Sequence, residues 1–289
     1  MQKSKISPYL FILPSGIFFL AFTLTPIIFS VVLTTFEWTA VTSPRFVGLS
    51  NWIRMFGDYR ALRSLMVTVR FVLVIVPLNL AISLFLAFLV DSLGRVTKVV
   101  FRSVFFMPVV TSAVAISFIM NQMFRRDAGI INYYLSYIGI SPVPWLTSTF
   151  FAFIACVIFI VWGMVGSSMI IMMAGLQGVP STYYEAAEID GCNAFKKFFK
   201  ITVPLIAPSI FFVIITTTIG SMQIFDQIFL ITRGGPGYAT QTIMYEIITA
   251  AFTRYQMGYA STLSFILLIL LMIITIVQWK FHTKWVHYE

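Results

Sequence analysis

Between Tyr9 and Phe36 the chain reads YLFILPSGIFFLAFTLTPIIFSVVLTTF, a stretch without one charged side chain. A bilayer's hydrocarbon core is about 30 Å thick and takes about 20 predominantly apolar residues per helix. Stretches of that kind recur along the sequence, and they constrain the fold more than any other feature. Length alone, 289 residues, fits one or two soluble domains. Composition excludes them: 59% of residues are hydrophobic and 10% charged, with mean hydropathy +0.94, where a soluble domain carries about 25% charged residues. The fold class is therefore an all-α membrane protein.

Reading along the chain predicts six transmembrane helices. They run from Tyr9 to Phe36, Leu65 to Val90, Val104 to Phe124, Thr149 to Ala174, Leu205 to Thr232 and Tyr259 to Trp279. The opening, MQKSKISPYLFILPSGIFFLAF, begins as a signal peptide would, but its apolar run is too long for a cleaved leader and reads as a retained first span. With six spans, both termini share a side. Placing that side in the cytoplasm puts all eight lysines there: Lys3, Lys5, Lys98, Lys196, Lys197, Lys200, Lys280 and Lys284. The positive-inside rule favours that arrangement. Arginine opposes it, because Arg45, Arg54, Arg60, Arg63, Arg125, Arg126, Arg233 and Arg254 then fall outside. The net charge of +9 follows from basic residues flanking spans rather than from a nucleic-acid partner.

The first external loop carries Phe46, Leu49, Trp52, Ile53 and Phe56 at near-helical spacing, which predicts an amphipathic helix with its tryptophan at headgroup level. Residues 1–60 then form the first span and this segment, and 61–289 the transmembrane core. The third external loop opens with the Gly234-Gly235-Pro236 turn. Internal repeats are not evident, which weakens an inverted-repeat secondary transporter.

The cytoplasmic stretch of about residues 176–204 interrupts the apolar pattern with EAAEIDGCNAFKKFFKITVP. Thr182 and Glu185 have capping-box spacing, and acids follow in the first turn. Gly191 stands where a left-handed C-terminal cap is needed. Asn193 can cap a second helix, AFKKFFKIT, and Pro204 sets the approach to the fifth span. The expectation is an ordered helix–turn–helix at the membrane face. Ala186 and Ala187 give it a flat surface for close approach by another helix, while its lysines suit anionic headgroups.

This stretch resembles the EAA loop of the transmembrane (permease) subunits of bacterial ABC importers. Glu185, Ala186, Ala187, Gly191, Ile201 and Pro204 fall in register with that pattern, and Val203 stands where leucine is usual. The Asp190-Gly191 pair, together with FDQIFLITRGGPGYAT and AFTRYQMGYAS, resembles the carbohydrate-uptake branch, including MalF-type and glycerol-phosphate permease subunits. The resemblance implies a type I ABC importer transmembrane fold in the cell membrane and half of a translocation path for a sugar. It also implies a second, related permease, two cytoplasmic ATP-binding subunits that use ATP and Mg, and an external solute-binding (lipo)protein. In this family the EAA helix passes nucleotide-driven closure from the ATPase to the spans.

The chain itself has no G-x-x-x-x-G-K-[ST] sequence and no HExxH. Cys156 and Cys192 form no CxxC pair, and His282 and His287 sit in the C-terminal tail. No catalytic residue, metal site or cofactor of its own is expected, and energy must come from a partner. Polar side chains within spans are costly and therefore informative. Asn79, Ser167 and Ser168 suit interhelical hydrogen bonds. Trp162, Gln223 and Asp226 combine an aromatic face with amide and carboxylate groups, as a sugar path requires. Pairing with Arg233 is the competing role for Asp226, and Arg70 snorkels from the outer end of the second span. Two other readings stay open. One is a glycerol-phosphate-type or phosphorylated solute, with Arg125 and Arg126 facing an anion; the other is an ion-coupled secondary transporter, which calls for more buried acids than Asp226.

Overall fold

The computed structural model describes residues 7–282, so Lys3, Lys5, Lys284 and His287 lie outside the described residues. The regular structure of the described part is helical apart from one two-residue β-pairing, with turns and irregular loops between the elements. This part divides into two compact units, the described residues up to 62 with 246–268, and 63–245 with those from 269 onward.

In the first unit α1 (Ser7–Phe19) passes through a π turn at Leu20–Leu24 into α2 (Thr25–Leu33). β1 (Phe36–Glu37) pairs antiparallel with β2 (Arg45–Phe46), Phe36 facing Phe46. In α3 (Ser50–Gly57), buried Asn51 donates its amide to the carbonyls of Thr34 and Phe36 at 2.9 and 3.0 Å. Thr34 is the C-cap of α2, whose carbonyl the helix end leaves without a partner, and Phe36 belongs to β1. The amphipathic helix predicted from the sequence therefore exists, and Leu49, Ile53 and Phe56 are its exposed apolar side chains. Its tryptophan does not join them: Trp52 packs edge-on against Phe265 at 5.8 Å.

In the second unit α8 (Thr149–Gln177) is the central element. Of its most apolar window, 56% is buried, against 22% for α4 (Tyr59–Asp91). α5 (Arg95–Val110) lies on it at Gly166, where a Cβ would stand 1.9 Å from the Phe105 carbonyl oxygen. Only glycine permits that approach. Asn79 of α4 is fully buried and donates to Ser168 Oγ at 2.8 Å and to Thr217 Oγ1 at 2.9 Å, joining three helices as expected for intramembrane polar groups.

Two predicted spans are not single helices. The third breaks between α5 and α6 (Ala113–Met123), which meet at 98°. Pro108 lacks the N–H that would bond to Val104, and Thr111 and Ser112 are extended where the helix stops. The fifth, predicted over Leu205 to Thr232, divides into α11 (Ala207–Met222) and α12 (Asp226–Ile231), and α10 (Ala194–Leu205), the second helix of the elbow, leads into it. α10 and α11 are bent by 69° at Ile206, so the turn falls after Pro204, and Pro208 supplies the first-turn proline of α11. Four described helices are long and apolar enough to cross a membrane, or six spans if each bent pair is one. The last is α14 (Met257–His282), and α13 (Ile243–Thr253) is a shorter apolar helix before it.

Candidate functional site

The EAA stretch folds into two helices joined by a tight turn. α9 (Ser181–Ile189) begins two residues earlier than a Thr182 cap requires, behind Pro180, and no side chain caps it. The expected capping box is not formed, because Thr182 is already helical and its hydroxyl does not reach back to the free amides. The C-terminal end matches expectation in detail. Gly191 has φ +68, Cys192 N donates to Ala187 O at 2.9 Å and Gly191 N donates to Glu188 O at 3.0 Å. These two bonds make a Schellman motif, which satisfies carbonyls that a helix end leaves free. Asn193 then caps α10, its side-chain oxygen accepting from the Lys196 amide at 2.9 Å.

Three contacts hold the two arms. Lys197 Nζ donates to Glu188 Oε1 at 2.6 Å, and this bond and charge hold the Glu188 carboxyl below its ordinary value. Tyr184 and Thr202 share a hydroxyl bond at 3.0 Å. Phe198 packs edge-on against Phe88 of α4 at 5.4 Å, which ties the elbow to a long helix. Beside it Asp91 at the end of α4 accepts from Lys98 at 2.8 Å and Gln177 at 3.5 Å, drawing together the ends of α4, α5 and α8. What remains outward is a ridge: Glu185, Ala186, Asp190 and Gly191 are exposed, Ile189 is 88% exposed, and only Ala187 turns inward. Ile201 is half-buried and Pro204 exposed on the second arm.

The polar residues assigned to a solute path lie on neighbouring helices. α8 and α11 touch where Met164 meets Gly220, and Trp162 and Gln223 flank that contact. Trp162, Gln223 and Asp226 are all exposed on this chain's own surface. Asp226 is the first residue of α12, a position that favours an acid at the helix N-terminus. It is not paired with Arg233, whose backbone turns to φ +50. Arg70 does more than snorkel, stacking its guanidinium over the Phe153 ring at 4.3 Å.

The segment after Gly234-Gly235-Pro236 departs furthest from the predicted external loop. Ala239, Thr240, Gln241, Thr242 and Ile243 are buried without helical structure across Ala239–Thr242. The Ala239 amide donates to Pro236 O at 2.9 Å and the Ile243 amide to Thr68 Oγ1 at 2.8 Å, while the Thr242 hydroxyl donates to Ile224 O at 2.7 Å. Non-helical backbone at membrane depth is tolerated only where protein or a water-filled cavity surrounds it. The polar A-T-Q-T run carried the signal, masked by the turn residues before it.

Several apolar helices, two of them broken, around a capped polar elbow define a multi-pass helical membrane protein. The family model described as the binding-protein-dependent transport system inner membrane component matches residues 79–284, and the chain belongs to that family. The probable ABC transporter permease protein YesP of Bacillus subtilis (strain 168) is 36% identical, spanning 100% of this chain and 94% of its own length. The lactose transport system permease protein LacF of Rhizobium radiobacter is 33% identical over 94% of this chain and 93% of its own. The fold is shared with a crystal structure of a bacterial alginate ABC transporter in complex with an alginate pentasaccharide-bound periplasmic protein. There the TM-score is 0.82 at 18% identity, over 93% of this chain and 91% of that one.

Proposed function

We propose that the chain is one permease subunit of an ATP-driven importer for a sugar, crossing the plasma membrane six times with both termini in the cytoplasm. Six crossings follow if each bent pair is one span. The Asp91 cluster supports the orientation, since it gathers Lys98 and the end of α8 at the helix ends from which the lysine-bearing elbow departs. Sugar as the solute class rests on the lactose permease relative and on the alginate transporter that shares the fold.

The observation that carries the mechanism is the closed elbow. A partner ATPase that grips the exposed Glu185, Ala186, Asp190, Gly191 ridge moves α9, and the Schellman turn and the Lys197–Glu188 bond pass that motion to α10 and so to α11. A flexible loop would absorb it. Hydrolysis, with its ATP and Mg, belongs to two such ATPase subunits, and this chain is not itself an enzyme. A second related permease supplies the other half of the path, and an external solute-binding protein delivers the sugar. Trp162, Gln223 and Asp226 line the path on this side, and the Gly234-Gly235-Pro236 turn belongs to the external face.

Gly191→Trp in the assembled transporter tests this reading. We expect normal membrane insertion with loss of ATP-dependent uptake; unchanged uptake removes the coupling role from the elbow.

A further inference from the structure

α10, α11 and the last turn of α14 enclose an apolar groove of about 640 Å³ lined by Phe199, Val203, Pro204, Ala207, Ile210 and Val277, among others. No ionisable side chain lines it. Its cations stand at one end. Lys196 and Lys200 are exposed one turn apart on α10, whose Phe199, Val203 and Pro204 line the groove before the bend at Ile206, beyond which Ala207 carries the lining onto α11. Lys197 is engaged with Glu188 instead. Across the groove, exposed Lys280 stands between the lining residues Val277 and Phe281.

We propose that this groove is a binding site for one anionic phospholipid, an acyl chain lying along α11 and α14 with its phosphate against Lys196 and Lys200. The charge distribution decides between occupants. A second permease's apolar helix would fill the groove but has no use for two cations at one end. A phospholipid matches both parts in the order in which they occur, and basic pockets between membrane helices take anionic headgroups for this reason. The inference rests on the membrane-spanning reading of α11 and α14 given above, and is independent of the solute.

The test is native mass spectrometry of the purified transporter in detergent after exposure to equal amounts of phosphatidylglycerol and phosphatidylcholine. At about fivefold preference per lysine, the wild type should favour phosphatidylglycerol about 25-fold. Lys196→Gln with Lys200→Gln should abolish the preference, whereas Lys197→Gln should leave it. Ala207→Phe, which fills the groove with the lysines intact, should reduce retention of both lipids. Equal retention by the wild type, or an equal effect of Lys197→Gln, overturns the site. So does a photo-crosslinker at Ile214 that captures a second permease chain instead of lipid. Retention in detergent does not depend on which side the elbow faces or on a gripping ATPase. A wild type without lipid selectivity whose Gly191→Trp variant still loses uptake therefore refutes the lipid site alone, and a selective wild type whose Gly191→Trp variant imports normally refutes the elbow alone.

Discussion

The amide of Cys192 donates to the carbonyl of Ala187 at 2.9 Å, so a main-chain bond spans the elbow at Gly191. A Cβ at Gly191 would meet nothing within 4 Å, and the only obstacle to a side chain there is φ +68. Gly191→Ala should therefore cost about 1–2 kcal/mol of local backbone strain without disturbing the spans. The expected result is partial loss of uptake at unchanged ATPase subunit content, measured in proteoliposomes.

Gly166 presents the opposite case. Its missing Cβ makes room for the Phe105 carbonyl, so Gly166→Ala forces α5 away from α8. A loss of about 3 kcal/mol or more is expected, read as a lower midpoint of thermal unfolding in detergent together with reduced expression.

Asn79, Ser168 and Thr217 should behave as one coupled set. Asn79→Ala removes both of its donors to the hydroxyls. A double-mutant cycle with Thr217→Ala should return a coupling of about 0.6 kcal/mol, the usual size for hydrogen bonds between membrane helices. Zero coupling would mean that the two side chains are adjacent without being bonded in solution.

Asp58 provides a pH test. Burial opposes its ionisation, but the Tyr259 hydroxyl, the amides of Arg60 and Ala61 and the Arg54 guanidinium outweigh that and hold its carboxyl below the ordinary value of 3.8. A depressed carboxyl stabilises the folded state at pH above its unfolded value, and that contribution disappears as pH falls through the folded value. Asp58→Asn should thus lower the unfolding midpoint at pH 7, and the gap from the wild type should close as the pH falls below 3.8 and through the folded value.

Alanine at Trp162, Gln223 and Asp226 together should reduce sugar uptake while leaving membrane insertion and ATPase assembly intact, because all three are exposed on this chain and bury no core. Unchanged uptake by the triple variant would remove them from the path.

The spans were legible because lipid demands long uncharged runs, and the elbow because Gly191 and Asn193 each perform a role few residues can. The breaks were not. Pro108 and Pro208 look alike within apolar surroundings, yet the first precedes a 98° bend and the second opens a helix. Membrane helices also tolerate proline without bending so far, so sequence alone does not separate the outcomes. The buried course of Ala239–Thr242 depends on hydroxyls at Thr68 and Thr242 finding distant backbone groups. That is a tertiary fact with no local periodicity. Thr182 misled because capping-box spacing is satisfied by a residue that the chain had already wound into the helix.

The elbow is closed by main-chain atoms, one cap and the side chains of Glu188 and Tyr184, with Glu185, Ala186 and Ile189 on the crest of α9 taking no part in the closure. Such a joint keeps its shape when the residues on its crest are exchanged. Under the proposed coupling role, exchanging Glu185, Ala186 or Ile189 should change what grips the elbow without opening the joint, so recognition and stiffness reside in different residues.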